Sequence, residues 1–150
     1  MNISLNNSAR SIRFSKDSVI FKEGDPIDTF YIINSGVVRC LKWSGDRLSP
    51  ILTGVEGDII GEDCVLSQED EYFYSAVALQ DCELVVVDKK DVDSFFLEQS
   101  PWFKSLFDNI SDKVQNTIGL ITEHRIKDES LLRGYDFSSE EEVLWKSKLK

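Results

Sequence analysis

The sequence predicts a mainly β domain with flanking helices, built as an antiparallel sandwich or roll. Between Ser11 and Asp88, short segments rich in β-branched and aromatic residues recur about every ten residues, a spacing typical of such folds. Turn residues containing glycine separate these segments. After Asp88 the apolar residues recur at spacings of three and four, which indicates helices.

The strands are predicted one after another along the first part of the chain. They are the segments 19–21, 30–33, 37–43, 51–55, 75–79 and 84–87. Glycine stands with Asp, Asn, Ser, Glu or Pro at 24–26, 34–36 and 56–58, and these residues favour turns. The third strand is expected to end at Ser44-Gly45-Asp46.

The helices are predicted from their first residues and their apolar spacing. Asp88 caps a helix that begins at Lys89. Ser100 as N-cap, with Pro101 at the first helical position, begins a long amphipathic helix that ends near Lys127. The apolar side of this helix is formed by Phe103, Leu106, Phe107, Ile110, Val114, Ile118 and Ile121.

The last residues form a tail of their own, so residues 1–127 are assigned to the domain and 128–150 to the tail. In the tail, Ser139 and Glu142 are predicted to form a capping box. A short helix then runs from about Glu140 to Leu149 and carries Trp145. Because only about 23 residues follow Lys127, no helix-turn-helix is expected after the domain.

The charge balance narrows the classes of partner. With 27 acidic and 17 basic residues, the chain has a net charge of -10, which argues against nucleic acid as the main partner. No run approaches the roughly 18 apolar residues of a membrane span, and the N-terminal residues have no secretion signal. We therefore expect a cytoplasmic protein without membrane contact.

Metal and catalytic sites are not predicted. The three cysteines, Cys40, Cys64 and Cys82, form no C-x-x-C pair, which indicates reduced thiols in the core. His124 is the single histidine and cannot by itself supply a zinc site. Nucleophile-elbow, zincin and P-loop motifs are all missing from the sequence, so no enzyme is predicted.

Two stretches carry a resemblance to a known family. Residues 24–38 and 57–66, followed by Tyr74-Ser75-Ala76-Val77, resemble the cyclic-nucleotide-binding domains of catabolite activator proteins and kinase regulatory subunits. The resemblance covers about residues 14 to 127. It implies an antiparallel β-roll, jelly-roll-like and wound as a double-stranded β-helix, with a phosphate-binding cassette between two strands.

The resemblance also implies roles for the cassette residues. Backbone N–H groups at the start of a short helix would hold the cyclic phosphate. Gly61 would permit close backbone approach, and Glu62 would accept hydrogen bonds from the ribose 2′-hydroxyl. The remaining members of the expected binding site are Asp63, Cys64, Val65, Tyr74, Ser75 and Ala76.

The chain departs from the family at the phosphate-binding arginine. In the family this Arg directly precedes the Ser/Thr-Ala pair, where this chain has Tyr74, and no Arg or Lys lies between Leu48 and Asp88. Losing one partner of a buried charge pair costs about 2–5 kcal/mol. A micromolar site would thereby weaken to about millimolar, so we expect no tightly bound cofactor.

These observations predict a non-catalytic regulatory or scaffolding module of this fold that acts through a protein partner. The alternative is a small-molecule sensor that still binds cyclic AMP, cyclic GMP or a related nucleotide through altered contacts. Glu62 is then either a ribose ligand or an ordinary acid in a first helical turn. Asp63 is either another such acid or a carboxylate that folds onto the cassette N–H groups in the place of phosphate.

Three further features allow two interpretations each. The aromatic residues 72–74 either fill the roll or stack on a base or partner, with Tyr72 and Tyr74 on one face and Phe73 on the other. Ile110, Val114, Ile118 and Ile121 form either the seam of a homodimer through residues 102–127 or a face that packs on the chain's own roll. Trp145 either docks on its own chain or contacts a partner.

Overall fold

Two antiparallel sheets, each of four strands, form the described part of the molecule, and residues from both sheets share one apolar core. The structure is a computed structural model that describes residues 10–63, 69–124 and 129–150. The strands are β1 (Arg10–Phe14), β2 (Val19–Phe21), β3 (Thr29–Ser35), β4 (Val38–Ser44), β5 (Arg47–Gly54), β6 (Ile59–Ile60), β7 (Ser75–Ala78) and β8 (Cys82–Asp88). Their order is β1-β8-β3-β6 in one sheet and β2-β7-β4-β5 in the other. The predicted fold class, mainly β with flanking helices, is confirmed.

Three strands differ from the sequence-based prediction. β1 and β6 were not predicted, because β1 is an edge strand with Arg at two of its positions and β6 has only two residues. β5 begins at Arg47 rather than Ile51, since Ser44 pairs with Arg47 across a two-residue turn. The polar residues at the start of β5 hide this strand in the sequence.

Four helices are described after the strands: α1 (Lys89–Leu97), α2 (Pro101–Glu123), α3 (Glu129–Leu132) and α4 (Ser139–Leu149). Asp88 and Ser100 occupy the N-cap positions as predicted, although within the described residues neither side chain makes a capping hydrogen bond. α2 ends at Glu123, short of the predicted end near Lys127, which lies outside the described residues. No helix in the described ranges is both long and apolar enough to cross a membrane.

The tail helix α4 packs on the outer side of the sheet that contains β4, β5 and β7. Trp145 is fully buried there with Leu41, Leu48 and Val77, and Leu149 completes the cluster. The prediction of Trp145 as a partner contact is therefore wrong, because its indole ring is covered by its own chain. The intramolecular alternative is the one observed.

The cap of α4 lies one residue earlier than predicted. Ser138, rather than Ser139, is the N-cap, and its side-chain oxygen accepts a hydrogen bond from the backbone N–H of Glu141 at 3.1 Å. The Ser-Ser-Glu-Glu-Glu sequence offers two registers of the same capping box. In the observed register, the Trp145 indole N–H donates to the Glu141 carboxylate at 3.3 Å.

Replacing Ser138 by alanine should lower the free energy of unfolding by about 1 kcal/mol, because the backbone N–H of Glu141, in the first turn of α4, loses its acceptor. Ser139→Ala is the matched control, since Ser139 is already inside the helix, and it should change stability by less than about 0.5 kcal/mol. Urea unfolding of both variants measures the difference. Equal losses, or a larger loss for Ser139→Ala, would contradict the assigned cap.

An arginine holds the segment that leads into α4. Arg39, on β4, is 0% exposed. Its guanidinium donates to Thr53 Oγ1 at 2.9 Å and to the backbone oxygens of Tyr135 and Asp136 at 2.6 and 3.2 Å. It also lies 3.4 Å from the Glu141 carboxylate. The tail is therefore fastened by a buried charge as well as by apolar contacts.

Candidate functional site

Gly61 begins the predicted cassette directly after β6. Its φ is +82°, a conformation that residues with a side chain rarely adopt. A Cβ atom at this position would meet the Tyr72 ring at 3.3 Å and Phe21 and Phe30 at 3.6 Å. The backbone approach that the resemblance implies is thus present, but the groups that approach Gly61 are aromatic side chains of the same chain.

Tyr74 stands where the family has its phosphate-binding arginine, and its hydroxyl reaches into the cassette. The backbone N–H of Gly61 donates to the Tyr74 hydroxyl at 2.7 Å. Tyr74 is only 4% exposed, so this hydrogen bond is made in the interior. A neutral phenol therefore satisfies a backbone donor at the entry to the predicted anion site.

The aromatic side chains around Tyr74 fill the roll. Phe21 stacks on Tyr72 with ring centroids 4.0 Å apart, and Phe21 also packs against Tyr74 at 5.6 Å. Phe73 is partly buried and packs against the same core cluster, and its ring centroid lies 3.9 Å from the Lys42 ammonium nitrogen. Tyr72 and Tyr74 thus pack within the roll, whereas the predicted placement of Phe73 on the opposite face stays a prediction.

Ser75 and Ala76 lie next to Tyr74 at the start of β7. Both are completely buried. The Ser75 hydroxyl oxygen accepts a hydrogen bond from the backbone N–H of Glu23 at 2.9 Å, so it joins β7 to the turn after β2. The described contacts of Ser75 are thus within the fold, and the ligand-lining role that the resemblance implies for Ser75 and Ala76 stays a prediction.

Glu62 and Asp63 follow Gly61 with helical backbone geometry. Asp63 is 8% exposed, and the Glu62 Oε2 atom is buried with no hydrogen-bond partner among the described residues. Burial, together with the neighbouring carboxylates of Asp63 and Asp58, raises the pKa of Glu62 from 4.5 to about 7. This arrangement disfavours negative charge at the cassette.

The other predicted cassette residues, Cys64 and Val65, lie outside the described residues. The N–H groups onto which Asp63 is predicted to fold belong to the same segment. Its role as a substitute for phosphate therefore stays a prediction. Glu62 likewise keeps both interpretations, as a ribose ligand or as an acid in a first helical turn.

Replacing Glu62 by glutamine should stabilise the protein, and more so at high pH. Because the folded-state pKa lies above the unfolded one, the folded carboxyl keeps its proton longer, and stability falls as the pH rises from about 4.5 to about 7. At about 1.4 kcal/mol per pKa unit, the full cost is about 3 kcal/mol. Glu62→Gln removes this cost.

Urea unfolding at about pH 5 and about pH 8 tests this expectation. The gain from Glu62→Gln should be about 2–3 kcal/mol larger at the higher pH. Glu56→Gln, an exposed acid in the preceding turn, is the matched control and should show no such difference. A gain that is the same at both pH values would contradict the burial of an ionisable Glu62.

Three cations of the chain that lie near this region are each paired with an acid. Lys42 forms an ion pair with Glu23, and Arg133, just after α3, lies 2.7 Å from Asp58. Arg39 is held by Glu141 and the tail. A basic residue from elsewhere in the chain could replace the missing arginine, but these three are already paired with other carboxylates.

A cavity of about 210 Å³ lies between the roll, the cassette and α2. Its walls are mainly aliphatic, with two acids and one tyrosine among them. The lining residues are Cys40, Ile51, Leu52, Glu62, Asp63, Tyr74, Val114, Ile118, Ile121 and Leu131. The structure thus brings cassette residues together with three residues of the predicted dimer seam, which the sequence pattern did not indicate.

The orientation of α2 explains this meeting. The buried residues of α2 are polar: Ser111, Gln115 and Thr122. The apolar residues of the predicted seam lie on another side of α2. Val114, Ile118 and Ile121 line the cavity, while Ile110 is 49% exposed. Both interpretations of the stripe therefore keep some support, and the homodimer seam stays a prediction.

Comparisons with known proteins identify the family and the fold. The model of the family described as "Cyclic nucleotide-binding domain" matches residues 11–99. The anaerobic regulatory protein of Bacillus subtilis (strain 168) is 24% identical over 114 residues, which are 71% of this chain and 48% of the relative. The chain therefore spans about half the length of that curated relative.

Solved structures share the fold. The EAL enzyme Bd1971 in its cAMP-bound form is 26% identical, with a TM-score of 0.67 over 77% of this chain and 31% of that one. The catabolite activator protein of Thermus thermophilus is 22% identical, with a TM-score of 0.55 over 75% of this chain and 50% of that one. The latter likeness concerns the fold alone.

Proposed function

The chain belongs to the cyclic nucleotide-binding domain family, and from this premise we propose that it is a non-catalytic regulatory module whose own side chains close the cassette to cyclic nucleotides. The observation that carries the proposal is the hydrogen bond from the Gly61 N–H to the Tyr74 hydroxyl. It puts a neutral, buried group where relatives of the fold have an arginine. A phosphate would arrive without a countercharge.

The electrostatics around the cassette support the same conclusion. The pKa of Glu62 is raised to about 7 by burial and by the neighbouring Asp63 and Asp58, and the same burial and carboxylates would disfavour a further negative charge there. A like charge at about 4 Å adds roughly 1–4 kcal/mol of repulsion, depending on the local dielectric. A cyclic phosphate would meet this repulsion and the missing arginine together.

The exposed apolar surface of the molecule favours interaction with a protein partner. Large apolar side chains of α2 are exposed, with Trp102 at 67%, Leu120 at 56% and Ile110 at 49%. Exposed apolar residues grouped on one helix favour an interface. We infer that α2 pairs with a second copy of the chain, whereas α4, being docked on the chain's own sheet, is not available to a partner.

Sedimentation of the wild type and of Ile110→Glu tests the paired state. We expect a dimer for the wild type and a monomer for the variant, because a charge in an apolar seam costs several kcal/mol when it is left unpaired. Lys113→Glu, an exposed position on the same helix, is the control and should leave the mass unchanged. A monomeric wild type would contradict the inferred dimer.

The relatives do not support the expectation that nucleic acid is absent from the partners. One solved neighbour is the sensor domain of the transcriptional regulator DNR from Pseudomonas aeruginosa, and its 18% identity concerns the fold alone. The net charge of -10 still disfavours direct phosphate contacts by this domain. A role as the sensing or assembling part of a larger regulator is compatible with both observations.

Calorimetric titration with cyclic AMP, cyclic GMP and a cyclic dinucleotide tests the closed cassette. We expect no saturable heat for any of the three below about 1 mM. A dissociation constant near about 1 µM for any of them would contradict the proposal and would favour the sensor with altered contacts. Thermal unfolding with and without each nucleotide gives an independent reading, since a tight ligand raises Tm.

A further inference from the structure

The cavity beside the cassette has a size that selects among ligands. A cavity of roughly 150 Å³ with aliphatic and aromatic walls accommodates benzene, whereas sites for drug-sized molecules measure about 300–1,000 Å³. At about 210 Å³, this cavity lies between the two. Its volume suits a molecule of one or two fused rings and is small for a complete nucleotide.

The walls of the cavity are apolar on most sides. Strand β5 contributes Ile51 and Leu52, and α2 contributes Val114, Ile118 and Ile121, with Leu131 of α3 beside them. The Cys40 thiol is completely buried. Such walls favour an apolar ring over water, because burial of apolar surface contributes about 25 cal/mol for each Å² removed from water.

The polar part of the wall has one sign of charge. Glu62 and Asp63 line the cavity together with the Tyr74 hydroxyl, which already accepts the Gly61 N–H. The Glu62 Oε2 atom is buried and has no hydrogen-bond partner in the described ranges. A buried carboxylate oxygen without a partner is costly, and a donor carried by a ligand would remove that cost.

We propose that this cavity binds a small aromatic amine, with the rings between β5 and α2 and the ammonium or N–H group on the Glu62 carboxylate. The inference rests on the proposed function in one respect, because both exclude phosphate from this part of the roll. It adds that the site selects for positive or neutral donors. The module would then respond to an amine, whereas its fold family is known for binding negatively charged cyclic nucleotides.

Titration of the full chain with tryptamine, indole and indole-3-acetate tests the proposal. The three probes share one ring system and carry a positive, a neutral and a negative side group respectively. We expect tryptamine to bind with a dissociation constant below about 1 mM and at least about tenfold more tightly than indole-3-acetate. Undetectable tryptamine binding, or tighter binding of indole-3-acetate, would overturn the proposal.

Two variants locate the site. Glu62→Gln keeps the size of the side chain and removes its charge, so the preference for tryptamine over indole should fall at least about fivefold. Ile118→Trp fills the cavity and should abolish binding of tryptamine and indole alike. Asn116→Trp, at an exposed polar position of the same helix, is the matched control and should leave both affinities unchanged.

The outcomes separate this inference from the proposed function. Unchanged tryptamine binding in Glu62→Gln would overturn the assigned contact even if Ile118→Trp failed to fold. Absence of binding for all three probes would overturn the cavity ligand and leave the closed cassette intact. Tight binding of cyclic AMP would overturn the closed cassette.

Discussion

Arg39→Ala is expected to lower the free energy of unfolding by about 3–5 kcal/mol, because it breaks a buried charge pair and leaves the other groups unpaired. The groups that lose their donor are the Thr53 hydroxyl, the backbone oxygens of Tyr135 and Asp136, and the Glu141 carboxylate. Burial lowers the pKa of Arg39, and the nearby Glu141 opposes that change. The guanidinium is charged in any case, and the tail supplies the acceptors that offset the cost of burying that charge.

Arg13→Ala is the matched control for this prediction. Arg13 lies 3.8 Å from Glu83, but its side chain is 87% exposed. Exposed pairs of this kind contribute roughly 0–1 kcal/mol. Urea unfolding followed by tryptophan fluorescence measures both variants, and Trp145 reports directly on the docked tail. A loss below about 1 kcal/mol for Arg39→Ala would contradict the account of how the tail is held.

Tyr74→Arg is expected to give the cassette measurable affinity for cyclic AMP. The substitution removes the hydroxyl that accepts the Gly61 N–H and supplies the guanidinium that a phosphate pairs with. If the pair recovers about 2–5 kcal/mol, affinity should improve by at least about thirtyfold. Without nucleotide the same variant should be less stable, since its charge is buried at a site that is 4% exposed in the wild type.

Tyr74→Gln separates the two parts of this effect. It removes the phenol without adding a charge, so the nucleotide should bind no more tightly than in the wild type. Calorimetry with cyclic AMP gives the affinities. The rise of Tm in saturating nucleotide gives the ligand-linked stability of the Arg variant. Equal affinities for the Arg and Gln variants would contradict the view that the missing countercharge closes this site.

The fold class was predictable because its signals are local. Segments such as 30–33 and 84–87 combine β-branched and aromatic residues between turn residues. They lie within β3 and β8, respectively. The start of β5 was not predictable, because Arg47, Ser49 and Pro50 do not resemble a strand and pairing across the turn decides the outcome. Edge strand β1 is similarly decided by its partner β8.

The candidate site was predictable in its residues and not in its contacts. The position of Tyr74 before Ser75-Ala76 indicates a missing countercharge, but a sequence cannot show that the phenol accepts the Gly61 N–H. The role of Arg39 was missed, since an arginine within a strand gives no sign of facing the tail. The alternation of Val38, Arg39 and Cys40 indicates only that Arg39 lies on the face opposite its two apolar neighbours, and not which segment covers it.

The NMR signal of the Gly61 backbone amide tests the central claim most directly, because this N–H donates to the Tyr74 hydroxyl. In a ¹⁵N-labelled sample, cyclic AMP added to about 50 µM should leave its chemical shift essentially unchanged, because a site of about millimolar affinity is then nearly empty. In Tyr74→Arg the same resonance should move and saturate. A saturable shift of Gly61 in the wild-type protein at micromolar cyclic AMP would show that phosphate enters the cassette and would contradict the account.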